Sequence, residues 1–197
     1  MKKIILFLFL FAGLVFSPSL RLYAQCPPEG NEPADSRLGK LNKAKNRSAL
    51  PPHGHNPIEI PLTGILGSID EPDSVRYHNG AYVVTVGYIT SYEEKGPESC
   101  NCDEGNKTDR TGDVLIYIGL SPDGPKSECM IVEITPAYKL LHPGYASELE
   151  EGKRVTIMGY MLYDFEHKGN AANTCTSCKK VWRKTCWEIH PVTDLEK

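Results

Sequence analysis

Residues 155–192, VTIMGYMLYDFEHKGNAANTCTSCKKVWRKTCWEIHPV, decide how this chain folds. Two apolar stretches, Val155–Tyr163 and Cys186–Val192, flank a polar insert that carries Cys175 and Cys178. Both stretches read as strands. Paired as a hairpin, they bring Asp164 and His167 at the start of the insert close to Glu188 and His190 at the end of the second strand. Side chains alternate across a strand, so Trp187 and Ile189 share one face while Glu188 and His190 share the other.

Three more strands precede this pair. AYVVTVGYITSY (81–92) is long enough to bend, and Gly87 fits a bulge or corner within it. DVLIYIGL (113–120) follows a polar loop, and CMIVEIT (129–135) follows a Pro/Gly turn. Residues 137–153 carry the helical content of the link to the fourth strand, and Pro143 and Gly144 restrict it to a short, broken helix. Arg154–Tyr163 and Thr185–Leu195 complete the set. Three strands, a short helix and two strands is the order of an OB-fold. The expectation is an all-β domain with one short helix, a five-stranded OB-fold-like Greek-key barrel. A β-sandwich calls for about seven strands, and the chain beyond Ala81 suffices for one such core.

The N-terminal part reads differently. Met1–Ala24 has Lys2 and Lys3, an apolar run from Ile4 to Phe16 and a small residue at its end, the order of a secretory signal peptide. The apolar run is shorter than the about 20 residues a membrane span needs. Cleavage after Ala24 gives an exported chain, periplasmic or extracellular; lipid attachment at Cys26 is the alternative and the one route to a membrane. Residues 25–60 are rich in proline and form a mostly irregular tether or strap, with a possible helix over 36–46 capped by Asp35 or Ser36. Residues 61–197 form the barrel domain. The whole chain carries −3; the leader's Lys2, Lys3 and Arg21 have no acid beside them, so the remainder carries −6. Nucleic acid is an unsuitable partner for such a chain, because clustered cations supply most of that affinity.

Several stretches carry a resemblance: GPESCNC (96–102), MIVEITP (130–136), TIMGYMLYDFEH (156–167) and CWEIHPV (186–192). Together they resemble a scattered group of small bacterial proteins of unassigned function that end in a WEIHPV-type strand. The resemblance covers about Gly80 to Leu195 and is most specific at WEIHP. It implies an OB-like domain and brings no activity or catalytic residue with it.

The chemistry-bearing residues allow two functions of different class. The first is a non-catalytic exported binding module without a cofactor. Its groove lies at the barrel rim between the 93–112 and 164–184 loops and takes a small molecule, a sugar or a protein. Asp164, His167, Glu188, His190, Trp187, Asp113 and Glu133 are the candidate groove residues. The second is a metal-dependent, nuclease-like hydrolase in which Asp164, His167, Glu188 and His190 hold zinc or calcium or act as acid and base. A nuclease would also use arginines on phosphate, and Arg110, Arg154 and Arg183 have no such context. The plainer reading is that Glu188 and His190 satisfy backbone groups at the barrel corner. Cys100, Cys102, Cys175 and Cys178 are expected to pair across the two loops as disulfides, with a closed zinc site as the alternative and Cys26 left over. Cys129 and Cys186 are core residues or a cross-sheet pair. His53 and His55 sit in a Pro/Gly loop and lack a third ligand. Tyr82, Tyr88, Tyr92, Tyr117 and Tyr160 could stack a sugar, although tyrosines in strands usually pack.

Overall fold

Apolar alternation builds five long strands, and in the computed structural model, which describes residues 26–67, 77–96, 98–102 and 112–197, they close on themselves. The chain runs α1 (Arg37–Lys45), β1 (Ile58–Glu59), α2 (Leu62–Leu66), β2 (Tyr82–Glu94), β3 (Val114–Gly119), β4 (Met130–Ile134), α3 (Pro136–Leu141), β5 (Arg154–Tyr163) and β6 (Trp187–Glu196). The sheet order is β1-β2-β3-β4-β6-β5, and β5 pairs back onto β2. The β4–β6 contact is parallel and every other barrel pairing is antiparallel. This is a closed five-stranded mixed barrel with OB-fold topology, and α3 lies between the third and fourth barrel strands as that topology requires. The leader expected over Met1–Ala24, and Arg110, lie outside the described residues. Among the described residues, no helix is long and apolar enough to cross a membrane.

Closure depends on β2 serving two neighbours. Tyr82–Tyr88 pairs with β5, Tyr88–Glu94 pairs with β3, and the register shifts between Ile89 and Ser91. The strand therefore coils through a corner, and Gly87 sits just before it. A Cβ at Gly87 would stand 2.4 Å from Ile118 Cγ2 and 2.7 Å from Leu62 Cδ2. The glycine is demanded by packing as well as by curvature.

Val114, Ile116, Ile118, Val132, Trp187 and Ile189 point into the barrel and form its interior. The opposite parity does not face water. Leu115, Tyr117, Cys129 and Ile131 form a second apolar cluster on the outer face, with Trp182 from the 164–186 insert lying over it. Every residue of β3 and β4 is consequently buried.

The N-terminal segment lies over the same side of the molecule. Ser36 caps α1 by accepting from Gly39 N at 2.8 Å. Leu41, Asn42 and Lys45 make up its buried side. Asn42 Nδ2 donates to Glu29 O and Ser99 Oγ, and the Cys26–Cys102 disulfide ties the start of the segment to the 98–102 turn. Arg37 stacks over Phe165 of the insert, 3.7 Å from the ring centroid, so α1 bridges the turn and the insert.

Gly87→Ala should destabilise the protein by about 1–3 kcal/mol, the usual cost of forcing volume into a packed core. Urea unfolding measures it; an unchanged midpoint would mean the corner has room that the distances deny.

Candidate functional site

Side-chain parity places the polar groups. Asp113 directly precedes β3 and shares the outer face with Leu115 and Tyr117. Glu133 is on β4, opposite Leu115. Glu188 and His190 alternate with the inward Trp187 and Ile189, and the parallel pairing Val132↔Ile189 sets β6 beside β4 so that Glu133 and His190 meet. His190 Nδ1 lies 3.0 Å from Glu133 Oε2 and 3.5 Å from Glu188 Oε1; its Nε2 lies 3.6 Å from Asp113 Oδ2. The Glu133 approach is close enough for charge pairing but off-line for a hydrogen bond. Among the described residues, Asp113 Oδ2, Glu133 Oε2, Glu188 Oε1 and His190 Nδ1 are buried without a hydrogen-bond partner. Asp113 Oδ1 is served separately, by Asn101 Nδ2 at 3.1 Å.

Glu188 joins this group to a second one. Arg183, from the insert, donates from Nη2 to Glu188 Oε2 at 2.9 Å, from Nη1 to Asp164 Oδ2 at 3.0 Å and from Nε to Thr185 O at 2.7 Å. Asp164 ends β5, accepts from Glu166 N through Oδ1, and holds His167 Nδ1 through Oδ2. Lys45 comes down from α1 to Glu98 at 3.5 Å, and the charges of Glu133 and Glu188 act on it as well.

Burial and mutual charge set the protonation. For His190, burial disfavours the imidazolium, but the charge and contact of Glu133, with Glu188 and Asp113 behind it, outweigh that and push it up to about 10. Burial would raise Glu133, yet His190 and Lys45 hold it well below the usual carboxylate range. Burial pushes Asp113 up to about 7, against His190 and with the help of Glu133. Burial and the charges of Asp164 and Glu133 raise Glu188 against the pull of Arg183. Burial likewise works against the Asp164 carboxylate, but His167 and Arg183 lower it overall.

The candidate residues therefore fall into two linked groups: Asp113, Glu133 and His190 with Glu188, and Asp164, Arg183 and His167 with Glu188. His190 does not meet Asp164 or His167 across the hairpin. Asp113 and Glu133 gather around His190 and not around His167. Glu188 and His190 pair with charged side chains, and among the described residues neither side chain bonds a backbone group. Trp187 is on the other face, packed edge-on against Tyr77 and Tyr163 inside the barrel. Arg154 is exposed at the start of β5.

The cysteine pairing differs from expectation. Cys175 bridges Cys178 within the insert, and Cys102 bridges Cys26, so neither a cross-loop bridge nor a four-cysteine zinc site forms. The reason is geometric. Cys102 adopts a left-handed conformation at the end of its turn, where the N-terminal segment lies, and Cys175 and Cys178 already have Cα atoms 5.4 Å apart, within bridging range. Cys100, Cys129 and Cys186 are free and buried. His53 and His55 are exposed, as is Tyr92, whereas Tyr117 is buried beneath Trp182.

Arg183 and Lys45 are the functional side chains that reading the sequence missed. Lys45 had a signal: it continues the Leu38–Leu41 stripe at helical spacing, on the side of α1 that turns inward. Arg183 had only its apolar neighbours Val181 and Trp182. Comparison with protein-family models, with curated proteins and with solved structures returned no match.

Arg183→Met should cost about 3–5 kcal/mol, because it strands two buried carboxylates; chemical denaturation reads it, and a loss below 1 kcal/mol would show the pairs to be incidental. His167 is raised by its hydrogen bond to Asp164, with burial opposing. A raised imidazole stabilises fully below its unfolded value of about 6.5, and that contribution is lost as pH rises through the folded value. His167→Gln should therefore reduce the stability lost between pH 6 and pH 8, measured by urea midpoints. A slope equal to that of the wild type would contradict the pairing.

Proposed function

We propose that the protein is an exported, non-catalytic binding module that presents the outer edge of its 164–184 insert, together with Lys95 and Lys126, to an acidic ligand such as an anionic sugar polymer. The observation that carries this reading is the closure of the acid-imidazole cluster. Asp113 and Glu188 are 0 % exposed and His190 1 %, beneath α1, the 98–102 turn and the insert. A hydrolase would need those groups to touch substrate. His167 alone among the four hydrolase candidates reaches solvent, and it belongs to neither group whose geometry suits a metal.

What remains accessible on this face is the rim. Half-buried Trp182 has Lys95 Nζ 5.8 Å from its ring centroid, and Tyr117 beneath it has Lys126 Nζ at 4.1 Å. Lys179 and Lys180 are exposed just before Trp182. Aromatic rings with cations around them suit the faces and charges of acidic sugars, and the OB topology favours binding between these two loops. Two disulfides fit an oxidising, exported setting. With its sulfur bonded to Cys102, Cys26 is not free to carry a lipid thioether, which favours the soluble product over the anchored one.

Titration of the full chain with heparin, with neutral dextran as control, tests the proposal through tryptophan fluorescence. Heparin should shift the emission, the shift should vanish in Trp182→Phe, and Lys179→Ala/Lys180→Ala should weaken binding about tenfold at low salt. Equal response to dextran, or none to heparin, would overturn the acidic-ligand reading.

A further inference from the structure

We propose that Asp113, Glu133 and His190 form a binding site for one divalent transition cation of the zinc type, enclosed between the barrel's outer face and the segments that cover it. The three residues offer ligand atoms that all lie within 4.8 Å of one another. A second observation points the same way. Asp113 Oδ2, Glu133 Oε2 and His190 Nδ1 are buried polar atoms without hydrogen bonds, and Glu188 Oε1 beside them is a fourth.

The spacing suits the ion. Bonds of about 2.0–2.1 Å in a tetrahedral shell set neighbouring ligand atoms about 3.3 Å apart. His190 Nδ1 lies 3.0 Å from Glu133 Oε2 and 3.5 Å from Glu188 Oε1, near that spacing, and Asp113 offers its ligand atom within 4.8 Å of those of Glu133 and His190.

Charge favours the cation too. The buried layer holds the four carboxylates of Asp113, Glu133, Asp164 and Glu188 against the two permanent cations Arg183 and Lys45. Ligation displaces the proton of the His190 imidazolium, and the surplus of two negative charges then left in the water-excluded layer is what one divalent ion cancels. The donor set selects among ions. Calcium and magnesium take oxygen shells, whereas an imidazole among carboxylates suits zinc-type metals. The free Cys100 thiol and Glu98 form a second trio with Asp113, which extends the set with a soft donor. Enclosure by α1 and the Cys26–Cys102 bridge makes the role structural, with the ion entering before the strap closes.

The test uses the full chain, stripped with a chelator and titrated with zinc chloride in competition with a chromophoric chelator. One equivalent should bind. Glu133→Gln and His190→Gln should each weaken binding roughly 100-fold or more, beyond the usual cost of changes outside the ligand shell. His53→Ala/His55→Ala, which removes the exposed histidine pair, should leave it unchanged. X-ray absorption at the zinc edge of the loaded wild type provides a reading that does not depend on either cluster variant folding. It should find one imidazole with oxygen neighbours. Binding below one equivalent, binding retained in both cluster variants, loss with the His53/His55 pair, or a shell of sulfur without imidazole would each overturn the site.

Discussion

Four carboxylates share one layer from which water is excluded, and that constraint governs everything outside the barrel. A buried ion left unpaired costs several kcal/mol, more than most single contacts return. The barrel strands supply the acids: Asp113 at the head of β3, Glu133 on β4, Glu188 on β6 and Asp164 at the end of β5. The cations come from elsewhere. Arg183 belongs to the insert and pairs with Asp164 and Glu188, while Lys45 belongs to α1, pairs with Glu98 of the turn and feels the charges of Glu133 and Glu188. The insert and the strap are in this sense completed by the sheet beneath them. The disulfides and the asparagine bonds hold in place what the charges select.

This layer occupies the side of an OB barrel that ordinarily receives ligands between two loops. Here the chain's own segments fill it, and Trp182 with its neighbouring lysines forms the rim. The same filling shields His190 and Glu188 from solvent. The face is thus divided, with aromatic and basic groups at the edge and acidic groups within.

The strands were legible because period-two alternation and β-branched composition are local signals. All five barrel strands were bounded to within a few residues, and the corner near Gly87 followed from one glycine in a long strand. The alternation of Trp187 through His190 correctly assigned Glu188 and His190 to one face. What alternation cannot state is which strand lies alongside. His190 was expected beside Asp164 and His167, its hairpin neighbours, but the parallel contact with β4 brings it to Glu133. That contact joins residues more than fifty positions apart. The disulfides were misread for a related reason. Pairing depends on how the proline-rich N-terminal segment packs, and little in its composition indicates that it docks against the 98–102 turn.

If buried charge holds the insert on the barrel, removing one carboxylate should loosen the insert and spare the strands. Hydrogen–deuterium exchange in Glu188→Gln, compared with the wild type, measures this residue by residue. Faster exchange is expected at Ala172, Asn173 and Trp182, whose amides bond to Arg183, Lys184 and Asn170, with the protection of β2 to β5 retained. Unchanged protection of those three amides, or uniform loss across the whole barrel, would contradict the account.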